Sequence, residues 1–307
     1  MIKDKHDQIV FIRQVFNDLN KLYAAAERWS LNFTQLDPGK LEGEVMILDS
    51  KQVQLGTVNF NRQFKQAGET PKGYRTFAIP ADYRQYFKWR DFKIRGNHFM
   101  LFPESGEIDA INYPGFKVFT FSLHENLIQE LNNQNRSSIR VPKSPEVLEL
   151  SSHNMANLRQ SASYLFKKAE ENPRVIEKPV FRRLMLQEIP LLLLSSMRSP
   201  VSKPDSKKSR IRDIALKKAT AYLDMCTTEF PTVYELCLIA GASQRTIEYS
   251  FKEQYGLTPQ GYIKMQRLNK IHLALLKADP AKEKVMNIAH RSGITHFGQF
   301  AADYKNM

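Results

Sequence analysis

Hydrophobic positions along the first 197 residues change period twice. Over 7–29, Ile9, Ile12, Val15, Phe16, Leu19 and Leu22 recur at helical spacing and predict an N-terminal helix. From 30 to 123 the pattern breaks into short apolar, aromatic or β-branched runs at 44–48, 53–60, 74–79, 99–102 and 116–121. Pro38-Gly39, Gly56, Pro71, Pro80, Gly96, Pro103, Gly106 and Pro114-Gly115 punctuate them. Many short strands with such turns predict an antiparallel sandwich or barrel. From 124 to 197 the helical period returns. Met155, Leu158, Ala162, Leu165, Phe166 and Ala169 mark one helical face, and 181–197 supplies a second, more apolar segment. The expected N-terminal domain, residues 1–197, is thus α+β, an antiparallel sheet structure with flanking helices.

Residues 198–212 hold Pro200, Pro204, several serines and Lys203, Lys207, Lys208, Arg210 and Arg212, which predicts a basic linker. Beyond it, 213–307 predicts helices only. Thr232 and Glu235 form a capping box, and the helix they open ends at Gly241. Ser243 caps a second helix, 244–255, with Ile247 and Phe251 on its inner face, ended by Gly256. Thr258-Pro259 then opens a long helix to about Lys277. The arrangement recurs. Asp279-Pro280 predicts a helix start, Ser292-Gly293 a turn, and Thr295 a cap for a helix carrying Phe300 and Tyr304. Cys237 and Ala289 each stand four residues before their glycine, where two steeply crossing helices need a small side chain. Two such copies define a tandem pair of helix-turn-helix units. The helix between them is about 28 Å long at ~1.5 Å per residue, near the ~34 Å between successive major-groove faces of a duplex.

Composition narrows the class. A hydrophobic share of 42% and a charged share of 25% exclude a largely disordered chain. No apolar run approaches the ~20 residues of a membrane span, and the polar start Met1–Asp7 has no signal core, so a cytoplasmic protein is expected. Cys226 and Cys237 lack metal-ligand spacing and are expected to be reduced packing residues. The net charge is +13. From Val201 on, 17 Lys/Arg stand against 10 Asp/Glu, about double the positive density of the preceding 200 residues. That places the expected polyanion, double-stranded DNA, against the C-terminal domain.

The residues from Ala240 to Phe251, Gly256 to Tyr262, Arg267-Leu268 and Ile288 to Ile294, followed by Phe300 and Tyr304, resemble the AraC/XylS family of bacterial transcription regulators. His290-Arg291 and the run from Gln299 to Tyr304 also resemble, more weakly, its ethanolamine-operon regulator branch. The resemblance covers 211–307. The chain departs from the pattern in having Ile294 where phenylalanine is usual and in stopping at Met307, where the family continues into a closing helix. That final helix is expected to be absent and the second unit correspondingly less stable. The resemblance implies a cupin-like first domain that senses a small molecule or mediates homodimerisation, an activating role, and RNA polymerase as a partner.

The start of each second helix should face DNA bases. In the first unit these residues are Gln244, Arg245, Glu248 and Tyr249. Arg245 is suited to guanine and Glu248 to cytosine, and an intradomain salt bridge is the competing role for Arg245. In the second they are His296, Phe297, Gly298, Gln299 and Ala302, with Gln299 suited to adenine and poorer readout overall. Ser243, Thr295, Lys252, Lys264 and Lys305 are candidate phosphate contacts, with Lys282 and Lys284 behind them. Ile247, Phe251, Leu268, Ile288, Phe300 and Tyr304 are expected in the core. Two alternatives remain open: control by a protein partner through the first domain, and a cupin-type metal enzyme. The second needs a His-x-His cluster, whereas His98 and His124 stand alone. No catalytic residue, metal ligand or cofactor is expected.

Overall fold

The structure, a computed structural model, describes residues 8–25, 29–104, 106–134, 141–142, 144–198, 200–204 and 211–307. Residues 199 and 205–210 of the expected linker therefore lie outside the described residues. The chain divides into two compact units. One comprises Met1–Asn32, Leu41–Asn61 and Gln66–Ser206, the other Phe33–Lys40, Arg62–Lys65 and Lys207–Met307.

The chain opens with β1 (Val10–Phe16), α1 (Leu19–Ala25), β2 (Asn32–Gln35), β3 (Gly43–Asp49), β4 (Val53–Phe60), β5 (Phe64–Glu69) and β6 (Tyr74–Pro80). Next come β7 (Phe87–Trp89), β8 (Phe92–Ile94), β9 (His98–Leu101), β10 (Glu107–Ile111) and β11 (Phe116–His124). After them follow α2 (Glu125–Gln134), β12 (Glu146–Glu149), α3 (Ser152–Glu171), α4 (Pro179–Arg183) and α5 (Ile189–Ser196). A seven-stranded sheet runs β1-β3-β4-β11-β6-β9-β12, and a five-stranded one runs β2-β5-β10-β7-β8.

The expected helix over 7–29 is found only at Leu19–Ala25, and its first half is corrected here. Val10–Phe16 is a strand paired with β3 along its whole length, Val10 against Asp49 through Phe16 against Gly43. Its valines, isoleucine and phenylalanines suit a pleated ladder, and a neighbour 27 or more residues on supplied the partner that decided the period. Strand β12 likewise interrupts the helical stretch over 124–197, pairing Leu148 with Phe99. Five-strand continuity is visible in one row of the larger sheet. Leu48 faces Leu55, Leu55 faces Phe121, Phe121 faces Phe77, and Phe77 faces Leu101. All five side chains are fully buried, in one cluster with Met155, Leu158 and Leu193 of the helices. All six face residues expected for the helix over 152–171 are buried.

The second unit holds α6 (Ile211–Met225), α7 (Val233–Ala240), α8 (Gln244–Tyr255), α9 (Pro259–Lys277), α10 (Val285–Arg291) and α11 (Phe297–Lys305). Its caps are local and match the expectation. Both arms of the Thr232–Glu235 box form, Ser243 accepts from the Thr246 amide, and Thr258 from the Gly261 amide. Two expected starts are corrected. Asp279 does not open a helix; it holds a turn, accepting from the Ala281 amide at 3.0 Å, and α10 begins only at Val285. Thr295 does not cap α11, whose N-cap is His296 without a side-chain bond. Phe297 and Phe300, three residues apart on α11, both pack on the small cluster of Met265, Leu268, Ile271, Ile288 and Ala289.

One feature of this unit has no local signal. Asn269, fully buried on α9, accepts from the Gln35 amide at 3.0 Å and donates to the Gln35 carbonyl at 2.9 Å. The Gln35 side-chain amide in turn donates to the Met307 carbonyl at 2.9 Å, and the Gly39 amide to the Asn306 carbonyl at 2.7 Å. Lys65 pairs with Asp224 near the end of α6. The segment Phe33–Lys40 thus satisfies carbonyls that the end of α11 leaves unpaired.

Candidate nucleic-acid interface

Each helix pair turns on a glycine with positive φ, +64° at Gly241 and +77° at Gly293, a region where any Cβ meets the backbone. In the first unit Leu236, Cys237 and Ala240 of α7 and Ile247 and Phe251 of α8 are buried. Phe251 meets Tyr262 edge-on at 5.1 Å. This packing turns the other side of α8 outward. Gln244, Arg245, Glu248, Tyr249 and Lys252 are all exposed there.

The outward groups are not equally engaged. Gln244 donates to Glu248 at 2.8 Å, and Lys252 to the Gly256 carbonyl at 3.0 Å, where it neutralises the negative end of its own helix. Arg245 makes no hydrogen bond or ion pair among the described residues, so its planar fork faces outward uncommitted. The Ser243 hydroxyl lies 2.9 Å from that of Thr246 and caps the helix. At the preceding helix, hydrogen bonds from the Thr232 amide and hydroxyl hold the Glu235 carboxyl below the usual carboxylate range. Arg212, which sequence reasoning placed only in the linker, lies over the Tyr249 ring at 5.0 Å and pairs with Glu253 at 3.1 Å.

The second unit is less open. His296, Gly298, Gln299, Ala302 and Lys305 are exposed, but Phe297 is half-buried against the cluster beneath it. Gln299 donates to Asp303 at 3.0 Å, and Lys264 reaches across from α9 to pair with Asp303 at 2.7 Å. That hydrogen bond holds the Asp303 carboxyl down. Lys264 is therefore occupied by a carboxylate in the position where a phosphate was expected. Tyr304, expected in the core, is half-buried, and its hydroxyl meets His272 Nδ1 at 2.7 Å.

His98 opens β9 and His124 ends β11. Each accepts from a nearby amide through Nδ1, from Arg95 and Asn126 respectively, at 3.3 Å. Burial pushes the His98 imidazole below its ordinary value. Among the described residues no group of three His, Cys, Asp or Glu side chains could hold a metal ion, and no helix is long and apolar enough to cross a membrane. Cys226 and Cys237 are free thiols.

Two glycine-hinged helix pairs, each presenting its second helix outward, define a tandem helix-turn-helix DNA-binding domain. The family description "helix-turn-helix domain" matches residues 236–307. Over 90 residues the chain is 37% identical to a probable thc operon regulatory protein of Rhodococcus erythropolis, covering 29% of this chain and 27% of that protein. Over these residues the chain is similar to the helix-turn-helix domains of AraC-type transcription regulators. Among solved structures, the AraC-like transcriptional activator CuxR is similar over 84% of this chain and 94% of its own, at 12% identity and a TM-score of 0.44. ToxT from Vibrio cholerae is similar over 98% and 94%, at 10% identity and a TM-score of 0.27. Likeness at those scores carries no functional weight, and the assignment rests on the C-terminal residues.

Proposed function

We propose that the protein regulates transcription by reading one asymmetric DNA site through α8 and α11 in neighbouring major grooves. The observation that carries this reading is the pair of outward-facing second helices, α8 before α9 in the chain and α11 after it. Helix α9 is 19 residues long, about 28 Å, against ~34 Å between successive groove faces. In this reading Arg245 makes the principal base contact, a bidentate pair with guanine, and Glu248 accepts from cytosine. Gln299 supplies weaker discrimination. The exposed Lys305 and the helix-start amides of α8 hold phosphates.

The first unit then senses a small molecule or joins two copies, and the protein acts as an activator that meets RNA polymerase in the cytoplasm. The resemblance of the C-terminal residues to AraC/XylS regulators supports this part, and the buried sheet-and-helix core gives it a rigid frame. Genome-wide binding-site mapping with the full chain, followed by footprinting of an enriched site, tests the proposal. Two protected patches about one helical turn apart are expected. Protection of a single groove, or no enriched site, would overturn it.

A further inference from the structure

We infer that Arg212 is a positioning residue for Tyr249 and so sets base preference at the position Tyr249 faces. This rests on the reading of α8 as a recognition helix. Tyr249 is 56% exposed on the outward face of α8, where a free ring samples several rotamers. The Arg212 guanidinium lies over that ring, its centre 5.0 Å from the ring centroid. Its Nη2 reaches Glu253, one turn further along α8, 3.1 Å from Oε2 and 3.5 Å from Oε1.

The cation is thereby committed on two sides. Its side chain is only 23% exposed, and its Nε is buried without a hydrogen-bond partner among the described residues. A surface arginine waiting for a phosphate would keep its fork in water. This one has given up water on one nitrogen and lies over an aromatic ring. Only a planar guanidinium can stack on the ring and pair with the carboxylate together, because an ammonium is a compact, strongly hydrated point charge.

Two consequences follow for DNA. The ring is fixed before the duplex arrives, which saves the roughly two- to tenfold in affinity that ordering such a side chain costs. The Glu253 charge is paired, which leaves Glu248 as the carboxylate beside Arg245 on the outward face of α8. Arg212 is the second residue of α6 and the last of the segment expected to link the domains.

The test is selection from random DNA by the full-length protein, with R212A, R212K, Y249L and the R212A/Y249L pair beside the wild type and R245A. Melting temperature and the salt dependence of binding are measured for each. Wild type should enrich one motif, and R245A should flatten a different position in it. R212A and R212K should both flatten the position facing Tyr249, by about five- to tenfold, and Y249L should flatten the same position. The double variant should lose no more preference than Y249L alone. R212K should keep the wild-type salt slope, because the charge beside Glu253 remains. Loss of affinity by R212A equally for all sequences, with a slope lower by about one and full restoration in R212K, would make Arg212 a phosphate contact and overturn the inference. Unchanged motifs in R212A would overturn it too. If wild type enriches no motif, the recognition-helix reading fails and takes this one with it. If R212A melts markedly lower, R212K and Y249L decide by whether they flatten the same position.

Discussion

The two helix-turn-helix units share a plan and differ in how their outward faces are used. In the first, an aromatic triad of Phe251, Tyr255 and Tyr262 fills the space under α8, with centroids 4.4–5.6 Å apart. Caps at Thr232 and Ser243 hold both helices. The outward side chains are long and charged, and Arg245 is left uncommitted. In the second, neither helix has a side-chain cap, the core beneath α11 is smaller, and its outward carboxylate is bound by Lys264 and Gln299. A helix held by strong local caps and a deep core can carry free charges at its surface without losing its place. The second unit takes its stability from neighbours instead, including Gln35 and Gly39 against the carbonyls after α11.

The largest test of this contrast is core truncation. Phe251→Ala should destabilise the second compact unit by about 3–5 kcal/mol, the range for a fully buried phenylalanine. Phe300→Ala, in the smaller cluster and 7% exposed, should fall at or below the lower end of that range. Urea unfolding followed by circular dichroism measures both, and equal losses would dissolve the contrast.

Base readout is the next largest. Arg245→Ala should cost about 1–3 kcal/mol on an enriched site and much less on random DNA, while Gln299→Ala should cost under about 1 kcal/mol. Fluorescence anisotropy with both DNAs reads the difference. A larger loss for Gln299 would move the main reading head to α11.

Capping sharpens the comparison at about 1 kcal/mol. Ser243→Ala removes a formed cap and should destabilise by roughly that amount. Thr295→Ala removes none and should change stability by less than about 0.5 kcal/mol. Equal effects would show Thr295 capping in solution.

The smallest effect is a pH dependence at Asp303. Lys264 holds its carboxyl below the ordinary value, so the pair's contribution is complete above the ordinary carboxylate range. It fades as pH falls through the lowered folded value. The Asp303→Asn variant should lack this component of the stability-against-pH curve. Titration of the Asp303 carboxyl by NMR at or above the ordinary value would show the pair broken in water.

The caps at Thr232, Ser243 and Thr258, the left-handed turns at Gly241, Gly256 and Gly293, and the strand Val53–Phe60 were all legible in the chain. Each rests on bonds three or four residues long or on a clear alternation, so its cause lies within the segment. The outward face of α8 followed from them, because burying Ile247 and Phe251 leaves only one side for Arg245 and Tyr249.

Tertiary structure decided the rest. Val10–Phe16 carried apolar residues at positions that fit either period, and only the ladder with β3 made it a strand. Buried Asn269 is a polar residue on an otherwise ordinary helix until Gln35, 234 positions away, supplies both of its partners. Arg212 reads as one more linker cation until folding lays it across Tyr249, and Lys264 as a free lysine until Asp303 meets it. Hydrogen bonds and ion pairs act over a few ångströms, so a side chain's role stays unwritten in its own neighbourhood when its partner arrives from elsewhere in the chain.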